Sequence, residues 1–464
     1  MDYMHLFKLC GYDEEEITRE SPRIDKAFQR MDIGEEDVRR AEGRIMEHYD
    51  VQLQGVRKLL GVHMREMINV VLAREENRMV VYSEWPGVGT ALMMAGIHSV
   101  KDVYFGTPAS QTINMVMGSI FDKLSPILEA GEQNGLPAGE AHCALWQTHL
   151  GAIVKGVIPA PDLLVSPGYL CDIPAETDQM LYEVHGIPVV YFDGCLDAQW
   201  GEWPNIRPGQ VKYAAGKLEK TRRKIEEVIG CSISDDAVRA SFWDIMKIYL
   251  NLQPMVELMG RADPQPTSQV NIDLAWWLVN NPMRHRDDGV QALNMLTLEV
   301  KQLIDEGKGI LPKGAPRIYL AQRVAVDPSV LRMIEDVGLA LPSCCVDWLL
   351  PVEMEIKATD PYEVIMEGLF RKGLCSGSGG IAYDVECCKK WEVDGAIIPY
   401  PYSCRLYAIT PLMIKAAIKK ELGIPAMVLE WDAYDTRQYS AGQLRTRVET
   451  FAELLRATKG MKAE

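Results

Sequence analysis

Several things this chain lacks narrow its reading. No two cysteines stand three residues apart, no two histidines stand four apart, and no apolar run nears the ~20 residues of a membrane span. Without Cys-x-x-Cys, zinc ribbons, ferredoxin-type runs and thioredoxin motifs lose their support. Without His-x-x-x-His or His-Glu-x-x-His among eight histidines, a hydrolytic zinc site has no pattern to rest on. The opening "MDYMHLFKLCGYDEEEITRE" lacks a basic region followed by an apolar stretch, so no membrane contact and a cytoplasmic location are expected. Positive charge is also short, with 49 Lys+Arg against 65 Asp+Glu and a net charge of −16. A phosphate-binding surface needs the opposite balance, so nucleic acid is not an expected partner.

What is present is ordinary in amount and unusual in arrangement. A content of 47% hydrophobic and 25% charged residues suits a globular protein, and 464 residues exceed one core, so two or three domains are expected. Eleven cysteines in a cytoplasmic chain do not imply a disulfide framework. A metal site would have to gather single cysteines from distant segments.

The first ~75 residues read as amphipathic helices, as in "RRAEGRIMEHYDVQLQGVRKLLGVHMREMINVVLAREE", with apolar residues every three or four positions. "RMVVYSEWPG" then gives a short strand and a turn, "GTALMMAGI" a helix, "DVYF" a strand, and "TINMVMGSIFDKLSPILEAG" one helix with a glycine stop. A helical region follows: "GQVKYAAGKLEKTRRKIEEVIG" stops on Gly230, and the next helix opens on Ser234-Asp235-Asp236. "PKGAP" is a linker, after which strands and helices alternate again from "RIYLAQR" to "IPAMVLEWD". This alternation predicts βαβ units around parallel sheets. The boundaries expected are a helical segment 1–75, an α/β domain 76–205, a helical connection 206–312 and a second α/β domain 313–464.

One phrase is written twice. "PDLLVSPGYLCDIPAETDQMLYEVHGIPVVYFD" and "VDGAIIPYPYSCRLYAITPLMIKAAIKKELGIPAMVLEWD" each run through Asp, apolar strand, Cys, helix, Gly-Ile-Pro, apolar strand and an acidic residue. Cys171 and Cys404 lie 233 positions apart and Gly186 and Gly423 lie 237 apart, so little separates the two frames. Internal duplication is the simplest reading, giving two Rossmann- or flavodoxin-like parallel-sheet domains. Ligands of such sheets bind beyond the carboxyl ends of the strands, where both cysteines would sit. Two halves facing each other would bring them into one cleft.

Most free cysteines are small hydrophobes in a core, and Cys10, Cys195 and Cys231 fit that description. In the neighbouring pairs Cys344-Cys345 and Cys387-Cys388, one member is expected to face inward and the other outward. Cys143, in "AHCALWQTHLGAIVKG", begins a helix 28 positions before Cys171. His142 and His149 flank that helix, and structural or surface roles suit them better than ligation. Three lone thiolates at strand and helix ends suit an iron–sulfur cluster with one iron left open, since soft sulfur ligands select iron–sulfur or zinc chemistry.

The stretches "AHCALWQTHLGAIVKGVIPAPDLLVSPGYLCD", "KGAPRIYLAQRVAVDPSVLRMIEDVG" and "VDGAIIPYPYSCRLY", together with "VVYSEWPGVGTALMMAGI", resemble the 2-hydroxyacyl-CoA dehydratase and benzoyl-CoA reductase family over residues ~78 to 460. The N-terminal ~75 residues are longer than the resemblance explains. It implies a 4Fe-4S cluster held by three cysteines, which here would be Cys143, Cys171 and Cys404. It also implies a paralogous subunit or a second copy as partner, an acyl-CoA substrate, and a separate ATP-hydrolysing iron–sulfur activator that injects a low-potential electron. In the dehydratases that electron makes a normally non-acidic β-proton removable, whereas in the reductases it serves reduction of an aromatic ring. Ser83 of "YSEWPG" matches a serine that lies near cluster and thioester in substrate-binding subunits, although a plain turn role before Pro86 also fits it. Cys344, Cys345, Cys375, Cys387 and Cys388 keep open a double-cubane cluster, as in a branch that reduces small molecules without a thioester. An electron-relay subunit without its own substrate site is a further reading. The three cysteines are expected to converge, with the open iron facing a pocket lined near Ser83 and Tyr402.

Overall fold

Among the described residues, eight short strands alternating with helices make two parallel sheets with one strand order. The computed structural model describes the chain except for residues 85–87, 138–141, 169–170, 195–200, 204, 280, 322–325, 344–357, 372–376, 402, 439 and 464. In the first sheet β1 (Met79–Tyr82), β2 (Val103–Gly106), β3 (Leu163–Pro167) and β4 (Val189–Phe192) lie in the order β2-β1-β3-β4, all parallel. In the second, β5 (Arg317–Leu320), β6 (Ala340–Ser343), β7 (Gly395–Tyr400) and β8 (Ala426–Glu430) lie in the order β6-β5-β7-β8, again all parallel.

The strand sequences are apolar throughout because helices cover both faces. Val80 and Tyr82 of β1 point into the core shared with the N-terminal helices, whereas Val81 points into a second core with Phe105, Val165 and Phe370. The helices Met4–Leu9, Glu14–Arg30, Glu35–His48 and Gln54–Val71 occupy the first 75 residues. Phe7, Phe28 and Leu60 from these helices belong to the same apolar cluster as Ile318 and Ile397 of the second sheet.

The repeated phrase has matching local physics in each sheet. Asp162, just before β3, accepts from the Val80 backbone N–H at 2.7 Å and pairs with Arg74 at 2.8 Å. Asp394, just before β7, accepts from the Arg317 backbone N–H at 2.9 Å and pairs with Lys459 at 2.9 Å. Each therefore ties the start of its strand to the adjacent central strand. The helices Ile173–His185 and Pro411–Leu422 both end on a left-handed glycine, Gly186 at φ 67° and Gly423 at φ 68°, a conformation that a side chain disfavours.

Two expectations change. The stretch read as one helix from Thr112 is two: a π-helix Pro108–Ile120 and an α-helix Ser125–Gln133, separated at Asp122, whose φ is 51°. Cys387 and Cys388 are not one inward and one outward: both are buried in the same apolar cluster, on the helix Gly377–Lys390. The Ser234 side chain caps the Ala237 N–H and Gly230 closes the preceding helix, as expected. Among the described residues, no helix is long and apolar enough to cross a membrane.

Candidate functional site: three thiols at helix starts

The three singled-out cysteines occupy equivalent kinds of position. Cys143 is the N-cap of the helix Ala144–Val154. Cys171 stands in the turn after β3, one residue before Asp172, the N-cap of Ile173–His185. Cys404 follows β7 and is the N-cap of the short helix Arg405–Ala408. Two of the sulfurs thus lie beyond the carboxyl ends of matching strands, where open α/β sheets bind ligands.

The site is assembled from both sheets by an ion pair between the residues that follow the two matching cysteines. Arg405 donates to Asp172 at 2.6 Å and to Glu176 at 3.3 Å. A second link joins Arg437, past β8, to Glu132 at 2.5 Å. Cys143 is seated by close helix packing: a Cβ on Gly151 would overlap the Ile127 carbonyl oxygen, and one on Gly131 would overlap that of Gln147. Glycine at both positions lets the helices Ser125–Gln133 and Ala144–Val154 approach backbone to backbone.

The thiols feel one another. Burial pushes the Cys143 thiol well above its ordinary value, and the charges of Cys404, Asp432 and Cys171 push it further. Burial also raises the Cys171 thiol to about 12; Cys404 and Asp172 add to this, while the Ile173 backbone N–H and Arg405 oppose it. The Leu145 backbone N–H opposes it in the same way at Cys143. Asp432 is buried beside this group, accepting from the Ser403 hydroxyl and from the Tyr434 and Asp435 backbone N–H groups at 2.9 and 3.1 Å. Burial raises its carboxyl. Cys143 and Cys171, both held toward the protonated thiol and each with a backbone N–H aimed at it, are soft sulfur donors of the kind that a cationic centre binds. Among the described residues, no three His, Cys, Asp or Glu side chains close to the spacing of ligands on one metal ion.

Ser83 lies at the end of β1, buried, with its hydroxyl donating to the Val165 carbonyl of β3 at 2.8 Å and its backbone N–H to the Gly106 carbonyl at 3.0 Å. In this arrangement it stitches β1 to both neighbours. Tyr402, Cys195, Cys344, Cys345 and Cys375 lie outside the described residues, so the expected pocket wall near Tyr402 and three of the five extra cysteines do too. Cys231 is exposed and Cys10 is buried in the N-terminal core.

Sequence reasoning missed a buried ionisable chain behind the thiols. The Nδ1 of His149 lies 3.0 Å from a Glu84 carboxylate oxygen, and its Nε2 lies 3.8 Å from Asp178. All three side chains are at most 3% exposed. The second Glu84 oxygen accepts from the Ser110 backbone N–H at 2.9 Å. The two carboxylates outweigh burial and raise His149, while burial raises the Asp178 carboxyl to about 6. The only available signal was an acidic residue directly after a strand that ends at the ligand-binding edge.

Two four-stranded parallel sheets, with single thiols beyond the carboxyl ends of β3 and β7, define an α/β protein. The chain belongs to the family of the 2-hydroxyglutaryl-CoA dehydratase D-component, whose model matches residues 110–455. It is 20% identical over 333 residues to the alpha subunit of (R)-2-hydroxyglutaryl-CoA dehydratase of Acidaminococcus fermentans, covering 71% of this chain and 67% of that one. It is 19% identical over 404 residues to the alpha subunit of (R)-2-hydroxyisocaproyl-CoA dehydratase of Clostridioides difficile, covering 84% and 93%. A subunit of the benzoyl-CoA reductase of Thauera aromatica is 22% identical over 339 residues, covering 68% and 76%. The chain is thus a dehydratase- or reductase-like enzyme.

Proposed function

We propose that this chain is the iron–sulfur subunit of an oxygen-sensitive, activator-dependent enzyme that dehydrates a 2-hydroxyacyl-CoA or reduces an aromatic acyl-CoA. Cys143, Cys171 and Cys404 would hold a 4Fe-4S cluster, leaving one iron open to substrate or solvent. The observation that carries the reading is the placing of the three thiols at helix starts, two of them beyond matching strand ends that the Arg405–Asp172 ion pair joins. When bound, the cluster would supply low-potential electrons and an open iron as Lewis acid. The chain's own residues provide the rest. The Leu145 and Ile173 N–H groups stabilise negative charge on sulfur, and Arg405 holds the two cysteine turns together across the sheets. Ser83, fixed by Val165, is the candidate for orienting a thioester near the site.

The shared strand order, the paired Asp162 and Asp394, and the paired glycine caps support descent of the two sheets from one duplicated flavodoxin-like unit. The relatives named as α subunits support assembly with a paralogous subunit; an ATP-hydrolysing activator as electron donor and the cytoplasm as location are part of the same proposal.

The test is iron and acid-labile sulfide on anaerobically purified chain, wild type against Cys404→Ala. About four irons per chain, lost in the variant while the fold persists, is the expected result. Metal-free wild-type protein with an intact fold would refute the reading, and about eight irons would replace it with the double cubane.

A further inference from the structure

We propose that His149, clasped by Glu84 and facing Asp178, is a positioning residue that fixes the Cys143 and Cys171 thiols in register with the Ser83 turn. The inference rests on reading those thiols as ligands, and its test separates the two claims.

The imidazole and the carboxylate that clasps it together reach four segments around the candidate site. The imidazole's own helix begins at Cys143. Asp178 lies on the helix that begins just after Cys171. Glu84 directly follows Ser83 at the end of β1 and also holds the Ser110 N–H at the start of the π-helix. The Trp146 ring packs edge-on against the imidazole, with centroids 5.4 Å apart, which limits its rotation. Along a helix, six residues from Cys143 to His149 span about 9 Å, so the clasp sits one layer behind the sulfurs and outside any ligand shell.

Packing alone does not account for such a group. Burying two carboxylates and an imidazole carries a desolvation cost of several kcal/mol per ion, which an apolar side chain of the same volume avoids. What an apolar side chain cannot provide is direction. The Glu84–His149 bond at 3.0 Å fixes the ring plane, and through it the rotation of the helix that presents Cys143. The other end is left open: His149 Nε2 and Asp178 Oδ1 are buried, 3.8 Å apart, and have no hydrogen-bond partner among the described residues. A shift of about 1 Å between the two cysteine-bearing helices would close this gap to a hydrogen bond. The clasp thereby couples the spacing of Cys143 and Cys171 to one contact.

The experiment is anaerobic pulse alkylation of the full, metal-free chain with iodoacetamide, quantified cysteine by cysteine in wild type, His149→Leu and His149→Gln. In His149→Leu the rates at Cys143 and Cys171, each relative to Cys404, are expected to change by about tenfold, the equivalent of one lost charge-assisted hydrogen bond. His149→Gln, which can still bond to Glu84, should recover most of the wild-type ratios. Glu84→Gln is the second arm if His149→Leu does not fold, and should move the same ratios in the same direction. Unchanged ratios in a folded variant overturn the proposal. So does a simultaneous rise at Cys10, which would mark general loosening of the core rather than positioning. Wild-type chain that binds no iron, yet shows His149-dependent ratios, would remove the cluster reading and leave the positioning intact; the reverse pattern would do the opposite.

Discussion

Replacing Asp178 with Asn should change how stability depends on pH, in a direction set by burial. The carboxyl is raised from 3.8 to about 6, chiefly by burial and secondarily by the Glu84 charge, against the opposing pull of His149 and Ser166. A rise of about 2 units is worth about 3 kcal/mol. Because the folded pKa exceeds the unfolded one, this group's contribution is fully present below about pH 4 and is lost as pH rises through about 6. Between pH 5 and pH 8 the wild type should lose about 1.5 kcal/mol from this carboxyl alone. The amide of Asp178→Asn does not titrate, and any hydrogen bond it loses adds an offset that is constant with pH. The raised His149, relieved of one neighbouring charge, shifts the difference in the same direction. The stability of the variant relative to wild type should therefore increase by about 1.5 kcal/mol from pH 5 to pH 8. For a chain of this length that is about 1.5 °C in melting temperature, read by calorimetry at each pH. A constant difference, or one that shrinks as pH rises, would refute the assignment of Asp178 as a buried, proton-retaining group.

Gly151→Ala should lower stability by about 2 kcal/mol or more, since the new methyl must displace a backbone carbonyl rather than a side chain. Gly380→Ala, with open space at its Cβ, is the matched control and should change stability by less than about 0.5 kcal/mol. Arg405→Ala removes ion pairs whose partners are half exposed, so the melting temperature should barely move. The same change should raise the Cys171 pKa further, because Arg405 lowers it, and slow alkylation of Cys171 relative to Cys231; an accelerated Cys171 would contradict the electrostatic account.

The parts of the fold that are local in sequence were legible in it. The strand–Cys–helix–Gly phrase could be read twice because every piece of it is set by near neighbours: the Asp that caps a strand, the cysteine in the turn, the glycine forced left-handed. The meeting of the two turns that carry Cys171 and Cys404, seen in the Asp172–Arg405 pair, is what two matching strand ends facing each other predict. The Glu84–His149–Asp178 chain was not legible, because its members lie 65 and 29 positions apart and no periodicity links a strand end to the buried faces of two helices. The break at Asp122 was hidden for another reason. Apolar spacing continues through "SIFDKL", and only the left-handed residue, which any Asp can adopt at modest cost, separates the two helices. The expectation of one inward and one outward cysteine in "ECCKK" failed because it assumed a helix with a single covered face.

Iron K-edge X-ray absorption on the anaerobically reconstituted chain tests the central claim most directly. A sulfur shell near ~2.3 Å, by analogy with zinc–thiolate bonds, with a second shell of neighbouring iron, is what three converging cysteine thiolates on a cluster predict. Iron surrounded only by nitrogen and oxygen, with no iron neighbour, would contradict it.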